Sequence, residues 1–189
     1  MLVAERSGME RRIGISIEIP DPMASELQNA RRAFGDPLAD SIPPHITLIG
    51  PTAISDEEFQ AIDRHVAAVC AAVSPFRVHL RGSATFRPVS PVVFIQVVAG
   101  ISSCEKLEGS LRTGPLAQDT KFNYHPHVTV AHNIEDELLD QAFNKMAFYE
   151  AEFEVANVHL YEHGEDDVWR TILRYPLGSA HESGLPVPQ

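Results

Sequence analysis

The chain has 189 residues, with 15 Lys+Arg against 26 Asp+Glu, a net charge of −11 and 44% apolar residues. That length can bury a core without disulfide or metal staples, and no run approaches the ~20 apolar residues of a membrane span. So acidic a surface repels long polyanions, which excludes general nucleic-acid binding but leaves room for a small phosphate ester in a locally neutral cleft.

The opening residues, MLVAERSGMERR, lack the apolar segment of a signal peptide. Residues 13–19 alternate and predict a strand. Asp21-Pro22 opens a helix whose buried stripe is Met23, Leu27, Ala30 and Phe34, and Gly35-Asp36-Pro37 stops it. Residues 45–49 form a second strand, closed by Gly50-Pro51. Ser55 and Glu58 have capping-box spacing at the start of a helix with Phe59, Ile62, Val66, Val69 and Val73 on one face. Strands are predicted near 76–86 and 92–98. The second half repeats this grammar. Ser102 and Glu105 cap a helix with Leu107 and Leu111 inward, a polar loop covers 113–124, and 127–131 is a strand. Asn133 caps a helix bearing Leu138, Leu139, Ala142, Phe143 and Met146. Strands near 152–161 and 168–175 finish one two-lobed domain over 12–177, with loose termini at 1–11 and 178–189. Cys70 and Cys104, the only cysteines, fall in helices and predict reduced core thiols in a cytoplasmic protein. Nothing in the sequence suggests an obligate partner, so a monomer is expected.

Two segments share one pattern. Pro44-His45-Ile46-Thr47-Leu48 and Pro126-His127-Val128-Thr129-Val130 both read Pro-His-apolar-Thr-apolar, 82 residues apart, each on a strand followed by a helix. One His-x-Thr among nine histidines means little; two in equivalent places indicate duplication. Residues i and i+2 of a strand share a face, so His45 pairs with Thr47 and His127 with Thr129. If the halves pack about a pseudo-twofold axis, two imidazoles and two hydroxyls surround one point. Such a group suits metal-free phosphodiester cleavage. One neutral imidazole takes a proton from the nucleophile and one imidazolium gives a proton to the leaving oxygen. The threonine hydroxyls donate to the non-bridging oxygens as charge builds.

On these motifs, together with Tyr124-His125 and Gly82-Ser83-Ala84-Thr85-Phe86, the sequence resembles the two-histidine phosphoesterase superfamily, and within it the 2′-5′ RNA ligase (LigT-like) branch. The resemblance covers about 13 to 175. It implies an α+β, bilobal LigT-like fold, with duplicated β-α-β units, antiparallel-rich sheets lining a central cleft and helices outside. It implies that His45 and His127 are catalytic, as proton donor and acceptor respectively, and that Thr47 and Thr129 bind the phosphate, with no cofactor and no metal. The expected substrate is a small nucleotide cyclic phosphate or an RNA terminus, with a 2′,3′-cyclic phosphate opened to a 2′-phosphate. Where family members often carry an arginine, five residues beyond the second motif histidine, this chain has His132.

Other residues are assigned more plainly. His125 reads as a loop residue, and His132, in opposite phase to His127, is expected to face away. His125, His127 and His132 offer an alternative zinc-ligand set, and a non-catalytic nucleotide-binding module is a second alternative. Arg77, His79 and Arg81 share one strand phase, as a local positive patch or a solvated face. Phe86 is a candidate base-stacking ring or a core residue, and Trp169 reads as packing.

Overall fold

A computed structural model describes residues 11–178 and 185–186. The expected loose termini otherwise lie outside the described residues. The strands are β1 (Arg11–Glu18), β2 (His45–Ile54), β3 (Phe76–Thr85), β4 (Val92–Ala99), β5 (His127–His132), β6 (Glu150–Val155), β7 (Asn157–His163), β8 (Trp169–Pro176) and β9 (Leu185–Pro186). The helices are α1 (Met23–Ala33), α2 (Asp56–Ala71), α3 (Ile101–Leu111) and α4 (Asp136–Lys145), with a 3-10 turn at Gly114–Leu116. The strands form one antiparallel sheet in the order β6-β3-β4-β5-β2-β1-β7-β8-β9. The predicted two lobes therefore share a continuous sheet, with the seam between β5 and β2.

One face of this sheet is covered. Helices α1 and α4 pack on the lobe containing β5, and α2 and α3 on the lobe containing β2 and β8. Each helix lies on this face because its apolar stripe repeats every three to four residues. Ile62, Val66 and Cys70 of α2 and Leu107 and Leu111 of α3 are fully buried. Beneath them, alternate strand residues such as Ile13, Ile15, Ile17, Ile46, Leu48, Val128 and Val130 complete the core. A fully buried side chain of this kind contributes about 1.5–3 kcal/mol. Their alternation partners face away from the helices, onto the concave side.

Several boundaries differ from the sequence reading. Strand β2 runs through Gly50-Pro51 to Ile54, because irregular pairing with β1 between Ile13 and Ser16 accommodates it. The capping box at Ser55 and Glu58 is present. Asp21 sits one residue outside the Pro22 cap position, but its carboxylate accepts the Ser25 N–H at 3.1 Å. Ser102 is not a cap: α3 begins at Ile101 behind Gly100, whose φ is 90°. A Cβ at Gly100 would stand 2.5 Å from the Arg77 carbonyl oxygen, so only glycine makes this entry. Asn133 is not a cap either. It takes φ 54° and donates its N–H to Pro91 O, and α4 starts after Glu135. The single strand expected at 152–161 is two strands, split at Ala156. Strand β6 pairs with β3 in one lobe and β7 with β1 in the other, so the sheet curls to bring its β6 edge back to β7.

Candidate active site

The two motifs meet at the seam. Strands β2 and β5 pair antiparallel with Ile46 opposite Val128. That register sets His45 beside Thr129 and Thr47 beside His127. Ile46 and Val128 are fully buried on the helix side, while all four motif side chains are half-buried on the concave side. In an antiparallel pair, diagonal neighbours stand about 7–8 Å apart. His45 and His127 are such diagonal neighbours on the concave side, with one threonine opposite each.

The imidazoles are held by the same device. His45 Nδ1 lies 2.7 Å from Pro43 O, and His127 Nδ1 lies 2.7 Å from His125 O. A carbonyl only accepts, so each Nδ1 carries the hydrogen and each Nε2 presents a lone pair. His45 Nε2 is 3.1 Å from the Thr47 hydroxyl, which donates to it. Burial pushes both rings below the ordinary histidine pKa. For His127 burial, opposed by the His125 carbonyl and reinforced by the charges of His125 and His45, lowers it to about 4. For His45 burial dominates, again opposed by its carbonyl contact, with the Arg31 charge adding to the depression.

Around the second motif, Phe86 packs edge-on against His127 with ring centroids 4.9 Å apart, and Phe94 lies 5.1 Å from the same ring. Phe86 and Phe94 are themselves 4.3 Å apart. Phe86 thus braces the second imidazole. Around the first motif the surroundings are open. A cavity of about 510 Å³ is lined by His45 and Thr47 and reaches Ser16, Tyr161, Trp169 and Arg12. His127 and Thr129 are not among its walls. The cleft is therefore asymmetric despite the symmetric motifs.

Two sequence expectations are corrected here. His132 does not face away: it lines the cavity with His45. A register shift between Val93 and Phe94 marks a bulge against β5, and both Val130 and Ala131 are buried, so the phase inverts before His132. The first motif shows the same i-B-i-B-B-i run over 45–50, which makes Gly50 the equivalent of His132. Trp169 is likewise a cavity wall rather than interior packing. The zinc-ligand alternative has no geometric support: among the described residues, no three His, Cys, Asp or Glu side chains are placed to share an ion. Arg77, His79 and Arg81 stand opposite Glu154, Glu152 and Glu150 in the β3–β6 register, so they form a neutralised solvated face. His79 Nε2 is 2.8 Å from Glu150.

Sequence reasoning missed three supports. Tyr124, in the loop before β5, donates its hydroxyl to Thr47 O at 3.0 Å and so ties the second motif's approach to the first motif's strand. Its position directly before His125 was the available signal. Arg31, buried on α1, donates from Nε to Asp36 at 3.0 Å and from Nη1 to Ile42 O at 2.5 Å. It thereby anchors the loop that ends in the Pro43 carbonyl. Phe94 lies in the strand predicted near 92–98, where no local signal ties it to His127.

A duplicated α+β domain with a concave antiparallel sheet and a His-Thr pair in each half defines a LigT-like phosphoesterase fold. The family model of the 2′-5′ RNA ligase superfamily matches residues 19–167, and the chain belongs to that family. The relative named "Putative phosphoesterase BH1439", from Halalkalibacterium halodurans, is 29% identical over 161 residues, covering 84% of this chain and 94% of the relative. A likewise named protein from Bacillus cytotoxicus is 26% identical over 171 residues, covering 88% of this chain and 97% of its own. Among solved structures, E. coli LigT complexed with 3′-AMP superposes with a TM-score of 0.65 at 16% identity, over 90% of this chain and 99% of that one. TT0787 of Thermus thermophilus gives 0.55 at 17% identity, over 90% and 100%. These two likenesses speak to the fold. Among the described residues, no helix is long and apolar enough to cross a membrane.

Proposed function

We propose that this phosphoesterase opens a 2′,3′-cyclic phosphodiester of a nucleotide or RNA end by metal-independent general acid–base catalysis. The observation that supports the reading is the β2–β5 register, in which Ile46 stands opposite Val128 and the two His-Thr pairs share the seam. The 3′-AMP bound to E. coli LigT supports a nucleotide as the ligand class.

The cleft's asymmetry orients the reaction. In an in-line displacement, the attacking water and the leaving oxygen lie on opposite sides of phosphorus. The leaving oxygen belongs to the nucleoside, which needs space, and space exists beside His45. Water therefore enters beside His127. The Nε2 lone pair of His127 takes a proton from that water as its oxygen bonds to phosphorus. The depression of His127 to about 4 keeps it neutral for this task. His45, as imidazolium, gives the Nε2 proton to the ribose oxygen as the P–O ester bond breaks. The bound phosphate anion favours that charged form. Thr47 and Thr129 hydroxyls donate to the non-bridging oxygens as negative charge gathers on them.

The test is turnover of adenosine 2′,3′-cyclic phosphate in excess EDTA, followed by phosphorus NMR. His45→Ala and His127→Ala each abolish turnover while circular dichroism stays native. Thr47→Ala and Thr129→Ala each cost roughly 10²–10³ in rate, the scale of one lost oxyanion-type donor. Full activity in either histidine variant overturns the assignment. Tight binding of the nucleotide with no product would instead establish a binding module.

A further inference from the structure

Resting on the phosphoester reading, we propose that the cavity beside His45 is a nucleoside subsite that also recognises a second phosphate. In it Trp169 stacks the base and Arg12 binds a phosphate on the 5′ side of the nucleoside whose 3′ end sits between the histidines.

Three observations lead there. First, the cavity joins the first motif to Arg12 and Trp169 without interruption, and its volume of about 510 Å³ is in the range of small-ligand sites. Its walls combine apolar surface, such as Ile42 and Pro43, with polar side chains that include His45, Thr47, His132 and Arg12, the mixture a ligand with both a base and a phosphate requires. Second, the Arg12 side chain has no ion-pair or hydrogen-bond partner among the described residues, whereas the side chain of its neighbour Arg11 is bound to Glu162 at 2.7 Å. In a chain of net charge −11, an arginine on a cavity wall with no acid partner among the described residues is a ready anion site. The cavity's carboxylate, Asp167, is 88% exposed and faces His163 Nε2 at 3.4 Å. Third, the indole of Trp169 lies over Gly14, where an added Cβ would touch its ring at 3.4 Å. A bare glycine on β1 lets the ring lie along the cavity wall, half-exposed, which suits stacking on a nucleobase. His163 packs beside the indole, with ring centroids 4.8 Å apart and the planes tilted by 39°.

The spacing fits one nucleotide. Ser16 stands opposite Thr47 in the β1–β2 register, and Arg12 is four residues along the same face of β1. Four strand residues span about 13 Å, of which an extended arginine side chain covers about half. A nucleoside fills the rest, with one phosphate at the threonines and one at the guanidinium. The second phosphate could be a terminal 5′-phosphate of a free nucleotide or the next diester of an RNA end. Both present the same anionic oxygens.

Equilibrium binding tests this without turnover, and Trp169 is the chain's only tryptophan, so its fluorescence reports on this wall alone. The probes are adenosine 3′-monophosphate, adenosine 3′,5′-bisphosphate and the dinucleotide ApA bearing a 3′-phosphate. The bisphosphate or the dinucleotide is expected to bind about tenfold or more tightly than the monophosphate, and whichever gains more identifies the source of the second phosphate. In Arg12→Ala that ratio collapses to about one, and Arg12→Lys recovers part of it. Adenosine probes quench the indole, whereas ribose 5-phosphate does not. Equal affinity for all three probes, a ratio unchanged in Arg12→Ala, or no quenching overturns the proposal. The variants Thr47→Ala and Thr129→Ala separate the two readings. If they leave monophosphate affinity intact, the proposed catalytic cleft is wrong; if they weaken it while Arg12→Ala leaves the ratio intact, only the second-phosphate subsite is wrong.

Discussion

Replacing Arg31 with methionine should unlock the first histidine and destabilise the protein together. Arg31 and Asp36 are both buried, with side-chain exposures of 4% and 0%. Breaking such a pair from one side leaves a carboxylate buried without its partner, at a cost of about 3–5 kcal/mol. For a domain of this size each kcal/mol lowers Tm by roughly 2–4 °C, so Arg31→Met should melt about 10 °C below the wild type. Asp36 also accepts the Leu38 N–H at 2.9 Å. Asparagine keeps that acceptor while removing the charge, so Arg31→Met/Asp36→Asn should recover most of the lost stability. It should not recover the reaction rate. The Nη1 bond to Ile42 O remains absent, and the loop carrying the Pro43 carbonyl no longer fixes the His45 ring. The assay pairs thermal melts with steady-state hydrolysis of a 2′,3′-cyclic nucleotide. In both variants kcat falls about tenfold with KM little changed, the signature of a misplaced catalytic group rather than lost binding. Wild-type stability in the single variant, or full kcat in the double, refutes the reasoning.

Other outcomes follow from the same structure. Tyr124→Phe removes the bond to Thr47 O and should cost about 1 kcal/mol in urea unfolding. The pH dependence of stability has a definite sign: the unfolded chain protonates its histidines near 6.5, whereas burial holds His127 and His159 at about 4. Their contribution is complete above pH 6.5 and is lost as pH falls towards 4, with His159 alone contributing roughly 1–3 kcal/mol. The urea midpoint should drop over that interval, and less steeply in His159→Gln. In catalysis, kcat/KM should be highest on the acid side of neutrality, between the low pKa of His127 as base and the depressed pKa of His45 as acid. The kcat profile should shift to higher pH, because the bound phosphate favours the imidazolium of His45. Ser55→Ala should lower stability by about 1 kcal/mol through loss of the α2 cap, measured by thermal melts.

Much of the chain could be read without coordinates because its signals are local. The alternation in His45-Ile46-Thr47-Leu48 and His127-Val128-Thr129-Val130 decides which side chains share a face, since strand geometry alone sets the period. The Ser55 and Glu58 spacing locates the start of α2 because the capping bonds span a single turn. Leu107, Leu111, Leu139 and Ala142 read as inward by helical period and are buried.

Other features depend on which strand lies next to which, and no local window holds that information. The bulge that turns His132 into the cavity arises from the mismatch of β5 against β4. The break at Ala156 exists because consecutive strands join different lobes; the apolar phase slips by one residue there, from Phe153 and Val155 to Val158 and Leu160, but which strand each half pairs with is not written locally. Trp169 became a cavity wall because β1 supplies a glycine beneath it from the far end of the sequence. Arg31 carries no local mark of its role, which arises where Asp36 and the Ile42 carbonyl close around it. The sequence by itself determined the chemistry available, two imidazole–hydroxyl pairs on equivalent strands, because period and duplication are written along the chain. Only the tertiary structure decided that the cleft is lopsided, since an asymmetric cavity is a property of neighbours brought together across the sheet.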